Sequence, residues 1–194
     1  MTVRGVAGAH GSGTPKLLYP TFGLTYVGNA AASANYAWWC AFYNKKARTL
    51  RNLWVPCTTV SNQKCSLSIY SNHAGDDNWY PNARLGTYDV ADMGTAAGFK
   101  GGGNFGLSLS ADTWYWLGFV TDATPTIRNN SGANGNVDFL SPWPYQTGAA
   151  YWMSCCWLDA NITYANRWPD PAPDSLLSNA YSAPIILVEY DTSS

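Results

Sequence analysis

Residues 107–128 read LSLSADTWYWLGFVTDATPTIR. Leu107 and Leu109 alternate with Ser108 and Ser110, the two-residue period of a strand with one dry face and one wet face. Ala111-Asp112 then reads as a two-residue turn, because Asp tolerates the left-handed backbone conformation better than most residues. From Thr113 to Thr121 the chain is apolar at odd and even positions alike. Such a run predicts a central strand covered on both faces or flanked by an oligomer contact. With Pro125-Thr126-Ile127-Arg128 as the return, the segment is expected to fold back on itself as paired strands at the centre of a two-layer aromatic core.

Outward from this segment, short β-type runs recur between breaks of Gly, Pro, Asn and Asp. They are FGLTYV from Phe22, YAWWCAFY from Tyr36, LWVP from Leu53, CSLSIYS from Cys65, RLGTYDV from Arg84, YWMSCCWL from Tyr151 and IILVEY from Ile185. Together with NFGLSLS from Asn104 and TWYWLGFVT from Thr113 they make nine strands, enough for two packed sheets. Cys65, Leu67 and Ile69 alternate with Ser66, Ser68 and Tyr70, so that strand too should have one dry and one wet face. The expected fold is an all-β, two-sheet antiparallel β-sandwich over residues 17–194, with at most one short helix, a single turn near 174–180. Residues 1–16, rich in Gly and Ala without apolar periodicity, read as a flexible or partner-ordered arm. Gly101, Gly102 and Gly103 precede a strand instead of opening a helix, so they read as a loop and not as a phosphate cradle. Three long loops, 71–82, 129–136 and 165–182, are the expected functional or partner-bound segments.

Composition narrows the function. Charged residues are 12% of the 194 residues and aromatics 15%, with ten Trp and thirteen Tyr, against about 25% charged in an ordinary soluble domain. A surface so poor in charge must be finished with Ser, Thr, Asn, Gly and aromatic edges, which suits contact with sugars or with neighbouring subunits. The net charge of −1 gives no electrostatic reason to bind nucleic acid. The basic cluster Lys45, Lys46, Arg48 and Arg51 reads as a solvated loop or edge strand. The N-terminal MTVRGVAGAHGSGTP lacks a secretory h-region, and no run approaches the ~18 apolar residues of a membrane span. Synthesis in a cytoplasm without membrane insertion is therefore expected. The five Cys, Cys155 and Cys156 adjacent, read as reduced core fillers, not as a disulfide framework. Cys40, Cys57 and Cys65 lack the spacing and His partners of a zinc site.

Catalytic patterns are scarce. Glycan hydrolysis needs two opposed carboxylates, and the single Glu, Glu189, excludes a Glu pair. A Ser-His-Asp or Cys-His site needs a positioned base, and the candidates are His10 in the Gly-rich arm and His73 in a loop near Asp76 and Asp77. Asp76-Asp77-Asn78 lacks the alternating spacing of a calcium loop. The chain therefore reads as non-enzymatic, with no cofactor and no metal. Loop aromatics beside Pro are the better lead: Trp79 and Tyr80, Trp143 and Tyr145, and Trp168. Their rings are expected to stack on sugar faces, with Asp76 and Asp77 beside them, or to plug a neighbour's pocket, or else to fold back over the open ends of the sandwich.

The segment from about Cys65 to Arg128 resembles a β-sandwich module, jelly-roll-like, that recurs in bacteriophage minor structural proteins and tail fibres. The resemblance rests on SLSIY from Ser66, NARLGTYDV from Asn82 and the Leu107–Arg128 element, with a weaker match at YAWWCAFYNKKARTLRNLWVP from Tyr36. The chain departs from the family's Ala-Gly turn at Ala111-Asp112. The resemblance implies a virion structural protein that associates with other virion proteins and with itself, a trimer being the family's habit. Two roles follow from it: a tail-associated, receptor-binding module that holds host-surface glycan, or a capsid decoration protein that grips the head lattice with no receptor.

Overall fold

The computed structural model describes residues 17–18, 27–73, 81–131, 156–159, 162–173, 178–179 and 182–191. Within them the chain forms fourteen strands and no helix. The strands are β1 (Leu17–Leu18), β2 (Val27–Ala31), β3 (Ala37–Asn44), β4 (Arg48–Thr59), β5 (Cys65–Asn72), β6 (Pro81–Val90), β7 (Gly98–Gly102), β8 (Leu107–Leu109), β9 (Thr113–Thr121), β10 (Thr126–Ser131), β11 (Cys156–Asp159), β12 (Ser178–Asn179), β13 (Ser182–Pro184) and β14 (Leu187–Tyr190). They make two antiparallel sheets packed face to face. The first has eight strands along the path β1-β14-β4-β10-β13, with β2 on β10 and with β7 and β8 on β4; the second has six in the order β12-β11-β3-β9-β5-β6.

β9 sits at the centre of the second sheet, between β3 and β5, and Tyr115 to Thr121 are all buried. Its two apolar faces explain this position, since only a strand with a layer on each side can bury both. Tyr115, Leu117 and Phe119 face the first sheet and meet Trp38, Phe42, Leu53, Val55, Leu67 and Val188 in the main core. Trp116 and Val120 face outward with Trp39, Ala41 and Tyr70 in a second cluster.

The pairing differs from the expected fold-back. β8 pairs with β4 in the first sheet, β9 lies in the second, and β10 returns to the first against β2, β4 and β13. Each reversal crosses between layers instead of closing a hairpin. The Ala111-Asp112 turn itself is present, with Asp112 at φ 50°.

Other expectations fare differently. The face of β5 carrying Ser66, Ser68 and Tyr70 is buried, not wet. Residues 162–173 lie across it as a strap, with Ile162, Trp168 and Ala172 in the outer cluster. Of the expected glycine loop, Gly101 and Gly102 are in a strand, since Gly98–Gly102 pairs with β4 as β7, and Gly103 follows it outside any strand. A Cβ on Gly101, at φ 152°, would meet the Leu53 carbonyl oxygen at 2.0 Å, so the close approach of β7 requires glycine there. The helical turn near 174–180 falls mostly outside the described residues, and Ser178–Asn179 within it is a strand paired with β11. Of the basic cluster, Lys45 and Lys46 are exposed in the β3–β4 turn. Arg48 and Arg51 stand on β4, which is interior and not an edge; Arg48 lies 4.9 Å over the Tyr190 ring.

Cys40, Cys57 and Cys65 are buried core residues. Burial pushes the Cys57 thiol up to about 12, against a smaller opposing effect of Lys100. The Cys65 thiol is pushed up for the same leading reason. Both are packing groups held protonated.

Candidate functional site

Trp168 is the one expected loop aromatic among the described residues; Trp79, Tyr80, Asp76, Asp77, Trp143 and Tyr145 lie outside them. Its ring is 2% exposed and offers no face to a ligand. It stands edge-on to Trp39, 5.7 Å between centroids, and to Tyr70, 6.4 Å. Its Nε1 donates to Ser66 Oγ at 2.6 Å. Gly118 is the floor of this seat, for a Cβ there would lie 2.6 Å from the indole.

The strap is tied down along its length. Arg84 Nη1 donates to the Trp168 carbonyl at 2.6 Å, Tyr70 Oη to the Pro169 carbonyl at 2.7 Å, and Ala172 N to the Asn82 carbonyl at 2.9 Å. Arg167 forks onto both carboxylate oxygens of Asp89, which holds that carboxyl below its ordinary range, aided by a hydrogen bond from Ser66. The segment that looked partner-seeking in the sequence is thus part of the protein's own packing.

The open site lies elsewhere, at the end of the sandwich where β5, β6 and β9 of the second sheet come near β8 of the first. A groove of about 510 Å³ opens there, within the usual size of small-molecule sites. Leu85, Leu107, Trp114 and Tyr115 supply its apolar surface, and Ser71, Asn72, His73, Ser108, Asp112 and Thr113 its polar groups. Leu85 is 39% exposed, the one exposed large hydrophobic side chain among the described residues.

The groove's side chains are held from behind. Trp116 Nε1 donates to Asn72 Oδ1 at 2.8 Å, and Asn72 Nδ2 to the His73 carbonyl at 3.1 Å. Tyr43 Oη donates to Asp112 Oδ1 at 2.9 Å, and this bond raises the Tyr43 phenol above its ordinary value. The Tyr43 ring lies 5.0 Å from Trp114, and Tyr115 Oη accepts from Ser110 N at 2.9 Å. Asp112 is the one carboxylate among the described lining residues, and none of them is Lys or Arg.

Sequence reasoning weighed His73 only as a loop histidine and passed over Leu85, Trp114 and Asp112 as a site. The available signals were an apolar Leu85 inside the otherwise polar NARLGTYD, and Trp114 alternating with Trp116 at the strand's start. No group of three or more metal-ligating side chains occurs among the described residues, and no helix among them is long and apolar enough to cross a membrane. No protein-family model matches the chain, and no curated protein matches it significantly.

Proposed function

We propose that this chain is a non-enzymatic attachment module of a bacteriophage virion, tail-associated, which holds host-surface glycan in the groove at the end of its β-sandwich. The observation that carries the reading is the groove itself, whose lining combines Leu85, Leu107 and Trp114 with hydroxyl, amide and carboxylate groups. Sugar rings present an apolar face and many hydroxyls, so a lining of both kinds suits them. The low charge of the whole chain and the resemblance of residues 65–128 to phage modules support the same reading.

The test is binding of the purified chain to host cells and to extracted surface polysaccharide. Trp114→Ala and Leu85→Ala should each weaken binding about tenfold, the ~1.4 kcal/mol expected of a central apolar contact. Trp168→Ala should act through stability instead, since its ring is inside. Capture on purified phage heads at lattice stoichiometry, with no affinity for cells or glycan, would establish the decoration role in place of this one.

A further inference from the structure

We infer that the groove holds its glycan by a methyl substituent, that of a deoxyhexose or of an N-acetyl group, packed on Leu85 and Leu107. The inference rests on the glycan-binding reading above and names the class of sugar.

Leu85 reaches the groove because β6 carries one residue more than β5 at this point. Ile69 pairs with Gly86 and Tyr70 with Arg84, so Leu85 is the extra residue of a β-bulge. In unbroken register Leu85 would stand opposite Tyr70, on the face that the strap covers. Arg84 takes that place and donates to the Trp168 carbonyl. The inward side of the strand is closed as well, for the Phe105 ring lies 2.7 Å from where a Cβ on Gly86 would stand. Leu85 is left at the groove as the one exposed large hydrophobic side chain among the described residues. Leu107 of β8 adds a second branched aliphatic group to the same lining.

The Trp114 ring suits the apolar face of a pyranose. The two leucines suit a different group. Every exocyclic position of an unmodified hexose ends in a hydroxyl, and a hydroxyl laid on leucine gives up water without gaining a partner. A methyl in that place gives up no hydrogen bond and gains apolar contact. The sugar's remaining hydroxyls have partners in the same lining: the hydroxyls of Ser71, Ser108 and Thr113, and the Asp112 carboxylate, oriented through Oδ1 by the Tyr43 hydroxyl.

The experiment presents the full chain with multivalent sugar probes in matched pairs. One series sets rhamnose and fucose beside mannose and galactose of the same configuration; the other sets N-acetylglucosamine and N-acetylgalactosamine beside glucose and galactose. In at least one series the methyl-bearing sugar should bind about tenfold more tightly, the low end of what one such group contributes in an apolar pocket and suited to a half-open one. The series that shows the preference identifies the source of the methyl. Leu85→Ala should reduce the preference to less than about threefold, change binding of the parent hexose by less than about threefold, and leave the urea midpoint unchanged. Equal binding within every pair, preference for the parent hexose throughout, or a methyl preference that survives Leu85→Ala overturns the inference while leaving the glycan-binding reading standing. Absence of binding to every probe overturns both.

Discussion

Gly118→Ala tests the outer packing most directly. Gly118 lies opposite Trp39 on one neighbouring strand and Ser68 on the other, directly under the Trp168 indole. A methyl group there would lie 2.0 Å from Ser68 Oγ and 2.6 Å from the indole Cζ3, whereas non-bonded heavy atoms settle at about 3.5–4.0 Å. Ser68 Oγ has no hydrogen-bond partner and can rotate away; the indole cannot. It must retreat by about 1 Å, which lengthens the 2.6 Å bond to Ser66 Oγ. Overpacking costs about 1–3 kcal/mol and a weakened hydrogen bond about 0.5–1.5 kcal/mol, so Gly118→Ala should destabilise by about 2–4 kcal/mol. Urea unfolding at unchanged slope measures it. The decisive comparison is made in the Trp168→Ala, Ser68→Ala background, where the truncated Trp alone removes about 3–5 kcal/mol. There, with both obstructing groups gone, the added methyl should cost less than about 1 kcal/mol. An equal cost in both backgrounds would show that the indole does not rest on Gly118, and the strap as described would be wrong.

Asp89 carries a folded-state pKa below its unfolded value, so its contribution is present above about pH 4 and is lost as pH falls through the folded pKa. Its side chain is 49% exposed, so screening limits the contribution to less than about 1 kcal/mol; Asp89→Asn should flatten the acid limb of a urea-midpoint profile below pH 4 and leave the midpoint's pH dependence near neutrality unchanged. Cys57 and Cys65 should resist iodoacetamide at pH 8 in the native chain and react after unfolding in urea, as read by peptide mass; native labelling of either would contradict the burial that keeps their thiols protonated. Asp112→Gly should keep the turn and leave the urea midpoint close to that of the unaltered chain, because relief at φ 50° offsets the lost Tyr43 bond. In the same variant the Tyr43 phenol should titrate closer to its ordinary value, which NMR of ring-labelled tyrosine would report.

The strands were legible wherever side chains carried a period. Tyr36 to Tyr43, Cys65 to Ser71 and Thr113 to Thr121 announce themselves by apolar density or alternation, and they are the core of the second sheet. β7 was not legible, because a strand of Gly98, Phe99, Lys100, Gly101 and Gly102 has almost no side-chain pattern to read. Nor was the strap, since RWPDPAP has no period and its burial depends on a seat built from β3, β5 and β9. Ser66 and Ser68 misled for the same reason: a polar face is wet only when nothing covers it, and here Trp168 supplies the cover. Alternation reports which face of a strand is buried, not which strand lies beside it. That is why the inward side chains of β8 and β9 were foreseen and their neighbours were not.

The error in pairing and the location of the groove have one cause. Had β8 and β9 formed a hairpin about Ala111-Asp112, Leu107 would sit opposite Trp116 and Ser108 opposite Tyr115 in one sheet. Because the chain instead crosses layers at Asp112, Leu107 and Ser108 stay with the first sheet while Trp114 and Tyr115 join the second. The end of the sandwich between them stays open toward Ser71, Asn72 and Leu85. The turn residue that permits the crossing, left-handed at φ 50°, is also the groove's only described carboxylate. Glycine at this position would make the same turn and present no charge. Aspartate here therefore keeps the left-handed turn and places a hydrogen-bond acceptor at the groove, so at Asp112 a change of side-chain chemistry can be made without changing the turn.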